Sequence, residues 1–316
     1  MFELLFVLSA FTTGMTTVSD VDDSIIEEFD QAFLLAYTEM GHAQELVTYK
    51  KDLKSKQITI PKYSQLALVT SALTESDDPD SVALVDSNVT LTPAEYGAAV
   101  TRTKLASLQT GGVADSAAAK LVGINAARSM SKLALLALDA SSNGLTVDNV
   151  AAGSLTDSNI ATADELGQLY NKLSRANVPP LVGGHYVFVC HDDVAHDLRE
   201  ETGTGGFVDV NKYSNVMPIL QNEIGMLKGF RIVVDNLCTL TADGGNAAVD
   251  LYNSYALGYN ALGLAISDPV HMVLSGSFDK LKRFINVGWF GVFQYKIVEQ
   301  DALWLFQSAS SVGSNT

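Results

Sequence analysis

Residues 190–197 read CHDDVAHD, which sets one thiol, two imidazoles and three carboxylates within eight positions. Side chains of these types do two kinds of chemistry: they ligate a metal ion, or a base among them activates a nucleophile. Ligands on one helix face favour a spacing of four residues, as in HExxH. His191 and His196 are five apart and diverge around a helix, so Cys190, His191 and His196 are read as holding no catalytic metal. Asp192 or Asp193 stands where an apolar run ends and a helix begins, and an N-cap role explains the acids without chemistry. GxSxG, CxxC, HExxH and P-loop patterns are missing from the rest of the sequence. The chain is therefore read with no catalytic residue, no cofactor and no metal, and not as an enzyme.

The second stretch that invites a chemical reading is NEIGMLKGFRIVVDN, residues 222–236. A phosphate loop runs from strand through glycines into a helix N-terminus. Here Gly229 is followed by Phe230, Arg231, Ile232, Val233 and Val234, which reads as a buried strand. The glycines are expected to turn the chain from a helix into that strand.

The elements that must position these stretches follow from pattern. TADELGQLYNKLSRANVPP reads as a helix capped near Thr162 and halted by Pro179 and Pro180. HYVFVC follows as a strand and DDVAHDLREE as a helix, so residues 156–269 form a mixed α/β unit. Residues 114–140 read as one long helix, apolar around much of its circumference and hence buried on several sides. From about residue 54 to 104, KQITIPKYSQLALV and NVTLTPAEYGAAVTRTKLA flank the polar TESDDPDS, a long β-hairpin with an acidic tip. A two-stranded hairpin is marginal in water and must lie on something. The last part holds two β-rich runs separated by EQDA, and residues from Asp20 onward read as an acidic amphipathic helix.

At 316 residues and 47% hydrophobic, the chain can bury a sizeable core. Its net charge of -16 argues against a nucleic-acid reader, which needs clustered cations. Cys190 and Cys238 are the only cysteines and are read as buried thiols in a reducing compartment. The apolar start MFELLFVLSAFTTG carries Glu3 instead of a basic flank, and is read as an arm that needs a partner surface. No later segment is read as a membrane helix.

Several stretches together resemble the major capsid proteins of tailed bacteriophages, closest to the podophage branch described as phage N-four-like. ITIPKY with ALTES is similar to the outgoing strand of that family's extended loop, and VTLTPAEYGAAVTRTK to its return. ALLALDA, ending at Asp139, is similar to the end of the spine helix. HYVFVCHDDVAHDL and NEIGMLKGFRIVVDN are similar to the central-domain strand, helix and following strand.

The resemblance implies an α+β, Hong Kong 97-type (HK97-like) major capsid fold. Its parts would be an N-terminal arm over residues 1–50, an extended β-hairpin loop over 51–104 and a peripheral domain with the spine helix over 105–155. A central α/β axial domain would cover 156–270, and C-terminal strands returning to the peripheral domain 271–316. It also implies a structural protein that self-assembles into hexamers and pentamers of an icosahedral head around double-stranded DNA, which it touches only weakly. Scaffold, portal and decoration proteins would be further partners, a membrane would not, and the location would be the virion capsid after assembly in the host cytoplasm. A nanocompartment shell, or a soluble α/β hydrolase or metal enzyme, are the alternative readings.

Contacts between subunits are expected in two places. Phe2, Phe6 and Phe11 of the arm have few local partners and would lie on neighbouring subunits. No Lys or Arg occurs between Lys62 and Arg102, a stretch that includes Glu75, Asp77, Asp78 and Asp80. Residues 96–138 carry Arg102, Lys104, Lys120, Arg128 and Lys132 against the single acid Asp115. In the resembled fold the loop of one subunit crosses its neighbour's peripheral domain or spine helix, where these two blocks would meet.

Overall fold

The computed structural model describes residues 46–312, less 48, 53–55, 64–65, 67, 73–74, 76–77, 79–80, 111–112, 182, 202–224, 276–280 and 282. The arm with Phe2, Phe6 and Phe11, the amphipathic helix from Asp20, and Asp77 and Asp80 lie outside the described residues. The strands are β1 (Tyr49–Asp52), β2 (Ile58–Tyr63), β3 (Asp86–Leu91), β4 (Ala94–Thr103), β5 (Gly144–Thr146), β6 (Tyr186–Cys190) and β7 (Met226–Leu227). They continue with β8 (Phe230–Val234), β9 (Leu240–Thr241), β10 (Leu251–Leu257), β11 (Leu262–Ser275), β12 (Phe284–Ile297) and β13 (Leu303–Ser308). The helices are α1 (Lys104–Gln109), α2 (Val113–Asp139), α3 (Ala163–Arg175) and α4 (Asp192–Glu200).

The chain divides into two compact units. Among the described residues, one takes in Tyr96–Ser129 and Val270–Gly291, and the other 46–95, Met130–Pro269 and 292–312.

The larger unit is built on a mixed sheet ordered β5-β13-β10-β6-β8-β7, with β9 also on β10. β10 pairs antiparallel with both β13 and β6, and β6 pairs parallel with β8. All seven residues of β10 and all five of β6 are buried, which marks the centre of the core. α3 adds Leu166, Leu169 and Leu173 to it, one amphipathic face at helical spacing. Its start is fixed by Glu165, whose carboxylate accepts from the Thr162 backbone N–H at 2.9 Å and from the Asp148 N–H at 3.1 Å. Thr162 is the N-cap, as the sequence indicates.

β2 and β3 pair antiparallel with Ile58 opposite Leu91 and Tyr63 opposite Asp86. Ile58, Ile60 and Leu91 are buried with Ala265 and Val298, so the root of this hairpin is seated on the larger unit. Polar contacts pin both strands: Lys296 Nζ donates to Thr90 O at 2.8 Å, Thr92 N–H to Gln294 Oε1 at 2.5 Å, and Lys62 pairs with Glu299. The two-stranded ladder is shorter than the sequence suggests, because β4 leaves β3 and joins the four-stranded sheet ordered β1-β11-β12-β4. Gly97 makes that possible: a Cβ there would stand 2.7 Å from Trp289 O, so only a residue without one lets β4 approach β12 so closely.

α2 covers the span expected of the long helix. Ala119, Val122, Ala126, Ala127, Met130, Ala134, Leu135 and Leu138 are buried, while Lys120, Leu121 and Arg128 are exposed. One expectation needs correction: Ala117–Asp139 is long and apolar enough to cross a membrane by length and composition. Its apolarity has a packing cause, since half of that window is buried inside the protein.

Candidate functional site

The cluster at residues 190–197 is organised for packing. Cys190 ends β6 fully buried, and burial pushes its thiol well above the ordinary range, away from the thiolate a nucleophile needs. Cys238 is also a free, buried thiol pushed up by burial. His191, not Asp192 or Asp193, is the N-cap of α4: its Nδ1 accepts from the Asp193 N–H at 3.2 Å. An imidazole nitrogen does the capping because the chain turns one residue earlier than the acids, which then occupy the first helical turn, where the helix dipole favours them. The Asp193 carboxylate accepts instead from Tyr252 OH at 2.8 Å, and the ring of Tyr252 lies 5.1 Å from that of His191. Asp197 is buried and accepts from the Ser311 N–H at 3.1 Å and from its hydroxyl, fastening the C-terminal segment to α4. His196 stays largely exposed on another side of the helix, with Nδ1 4.0 Å from Asp197 Oδ1. Among the described residues no three or more His, Cys, Asp or Glu side chains are placed to hold a metal ion.

The glycine stretch turns the chain between two strands. β7 and β8 pair antiparallel with Leu227 opposite Phe230, and Lys228 and Gly229 between them have φ of 48° and 87°. Two positive φ values in a two-residue loop are what a tight hairpin requires. The expected helix-to-strand turn is therefore a strand-to-strand turn, with no helix N-terminus to receive a phosphate. Gly229 has a second constraint: a Cβ would meet the Tyr170 ring at 2.6 Å.

One polar centre escaped the sequence reading. Asp139, the last residue of α2, accepts from Thr239 Oγ1 at 2.6 Å, Asn253 Nδ2 at 2.8 Å and Tyr255 OH at 2.7 Å. Close by, Lys132 Nζ donates to Leu237 O at 3.0 Å and Thr239 Oγ1 at 3.2 Å. Two of the Lys132 ammonium donors are thus used within the chain. Its companions differ: Lys104, Lys120 and Arg128 are exposed and Arg102 is half-buried, while Glu75 and Asp78 are exposed on the hairpin side.

A cavity of about 600 Å³ lies at the hairpin root, lined by Lys62, Tyr63, Asn177, Pro179, Tyr259 and Asp301 among others. Among the described residues its lining contains no Ser, Thr, Cys or His, and its Glu299 pairs with Lys62.

What the chain does expose is apolar surface on the hairpin. Leu68 and Val69 are 90% and 86% exposed, and Leu66, Val82, Leu84 and Val85 are exposed as well. α1 has no buried residue, and its Leu105 and Leu108 are 65% and 71% exposed. Monomeric proteins rarely leave so many large apolar side chains bare in one segment. Alternating apolar residues outside the acidic tip were the signal for this in the sequence.

No family model matches the sequence, and no curated protein matches it. Solved structures do. The capsid of Ralstonia phage GP4 is similar at a TM-score of 0.70 and 12% identity, over 88% of this chain and 92% of that one. The capsid asymmetric unit of cyanophage Pam1 is similar at a TM-score of 0.65 and 14% identity, over 86% and 93%. A virus-like particle from Pyrococcus furiosus is similar at a TM-score of 0.53 and 10% identity, over 89% and 98%. The chain thus has the mixed α+β, HK97-like fold of phage capsid chains.

Proposed function

We propose that the chain is the structural major capsid protein of a tailed phage, assembling with copies of itself into hexamers and pentamers of an icosahedral head around double-stranded DNA. The observation that carries this reading is the likeness to the Ralstonia phage GP4 capsid over 88% of the chain. The bare apolar hairpin supports it, since a shell subunit leaves surfaces that only its neighbours cover. In this reading residues 51–104 are the extended loop, 105–155 the peripheral domain with the spine helix, 156–270 the axial domain and 271–316 the returning strands. The arm, with Phe2, Phe6 and Phe11, lies on neighbouring subunits. The loop acids Glu75, Asp77, Asp78 and Asp80 face Arg102, Lys104, Lys120 and Arg128 of the next copy. The wall is no enzyme, its net charge of -16 keeps contact with packaged DNA weak, and it resides in the virion after assembly in the host cytoplasm. Scaffold, portal and decoration proteins are its further partners, and the podophage N-four-like branch its place in the family.

A nanocompartment shell is the second reading, favoured by the likeness to the Pyrococcus furiosus particle. Its TM-score of 0.53 stands below the 0.70 of the phage capsid. Sedimentation and negative-stain imaging of the purified chain test the shell reading: fast-sedimenting closed particles are expected, and a chain that stays monomeric at high concentration contradicts it. Cargo separates the two shells, since a phage head takes up DNA through a portal and a nanocompartment encloses protein.

A further inference from the structure

The cavity at the hairpin root is walled by three loops that hold one another by main-chain hydrogen bonds. Tyr259 N–H donates to Pro179 O at 2.9 Å, Glu299 N–H to Asn260 O at 3.0 Å and Gly258 N–H to Ala302 O at 2.8 Å. These bonds join the loop after α3, the β10–β11 turn and the β12–β13 turn. Gly258 lets them close up, since a Cβ there would stand 2.4 Å from Val178 Cγ1. The end of β2 supplies the remaining wall with Lys62 and Tyr63. A volume of about 600 Å³ suits a small molecule, and bonds within the chain already fix most of the wall.

The charges in the wall select the ligand. Lys62 is paired with Glu299, which leaves Asp301 as the one ionised side chain of the lining without a partner among the described residues. The side chains of Tyr63, Asn177, Tyr259 and Asn260 also have no partner among those residues. Two phenol rings offer π faces to a cation, Asp301 offers the counter-charge, and the amide oxygens of the asparagines accept N–H donors. An anion meets no uncompensated cation here. We propose that the cavity binds an aliphatic polyamine, with one ammonium on Asp301 and its methylene chain against the rings of Tyr63 and Tyr259. The site goes beyond the shell reading and belongs to the single chain. Lys62 and Tyr63 lie on the hairpin and the other lining residues on the body of the larger unit, so a bound polyamine ties the two together and steadies the hairpin root.

Isothermal titration of the native chain with spermidine tests this, in whichever state it is purified, single subunit or particle. Salt at about 0.15 M screens the loose attraction of cations to a chain of net charge -16. A single saturable site per chain is expected, weakened at least about ten-fold by Asp301→Asn and by Tyr63→Ala with Tyr259→Ala. Asp157→Asn, at an exposed acid outside the cavity, is expected to leave it unchanged. No saturable binding, or equal losses in Asp301→Asn and Asp157→Asn, overturns the proposal. So does equally tight binding of maltose, a neutral sugar that the same rings and amides would take. Amide hydrogen exchange of the native chain covers the case in which a variant fails to fold. Spermidine is expected to slow exchange at 58–63, and an unchanged rate there overturns the proposal. None of these outcomes bears on assembly, so the shell reading stands or falls separately.

Discussion

The hydroxyl of Tyr255, at the buried centre of β10, donates to the Asp139 carboxylate at the end of α2 over 2.7 Å. Asn253 and Thr239 donate to the same carboxylate, so one acid ties the helix end to β10 and to the loop before β9. Asp139→Ala leaves three donors without an acceptor, each an orphan costing about 1–3 kcal/mol where water does not replace it. Tyr255→Phe removes one donor and leaves the others paired, for about 1 kcal/mol. Urea unfolding of the unassembled chain is expected to rank Asp139→Ala well below Tyr255→Phe. Equal midpoints would remove the network from the account.

Gly229 combines a φ of +87° with a Tyr170 ring 2.6 Å from where a Cβ would sit. Gly183 has a φ of +55° and open space around it. Gly229→Ala should therefore destabilise by more than about 1 kcal/mol, and Gly183→Ala by about that amount or less. Thermal melts of the two variants compare the ring contact with the backbone cost alone. A Gly229→Ala,Tyr170→Ala double variant should be no worse than Tyr170→Ala by more than the backbone term.

Burial raises the carboxyl of Glu165 above its ordinary value, and the hydrogen bonds from Thr162 and Asp148 only partly oppose it. The folded chain then holds this proton more tightly than the unfolded chain does. Its contribution to stability is complete below the ordinary carboxyl range and is lost as pH rises through the raised value. Relative to the native chain, Glu165→Gln is expected to lose that slope as pH rises above the ordinary carboxyl range. Denaturation midpoints across this range measure it, and parallel curves for the two proteins would refute the assignment.

Replacing Asp77, Asp78 and Asp80 by Lys is expected to lower particle yield, and adding Glu at Lys120 and Arg128 to restore part of it. Exposed ion pairs contribute only about 0–1 kcal/mol each and weaken with salt, so the effect should shrink at high ionic strength. Lys132 is left out of the set because its amine already bonds Leu237 and Thr239. Light scattering during assembly reads the outcome; a doubly altered set no better than the loop variant alone defeats charge matching.

Legibility in the sequence followed periodicity. α3 and α4 were visible because one face is apolar and the starts carry capping residues, and β6 and β8 because they are short apolar runs between polar turns. β10 was not, because LYNSYAL is buried on every residue and includes Asn253 and Ser254, so no alternation marks it. Asn253 sits there to reach Asp139, a partner 114 positions away that no local pattern reveals. The His191 cap was missed for a different reason: aspartate is the commoner cap, and only the backbone decides which residue falls at the turn. The hairpin strands were legible from alternation, but the departure of β4 to β12 depends on Gly97 meeting Trp289, again a distant contact.

Cryo-electron microscopy of particles grown from the purified chain tests the central claim most directly. The expected reconstruction is a closed icosahedral shell of six- and five-membered rings, each subunit fitting the fold described for residues 46–312, with its hairpin lying on a neighbour. A chain that yields only monomers, or an open aggregate in which the hairpins contact no other copy, would contradict it.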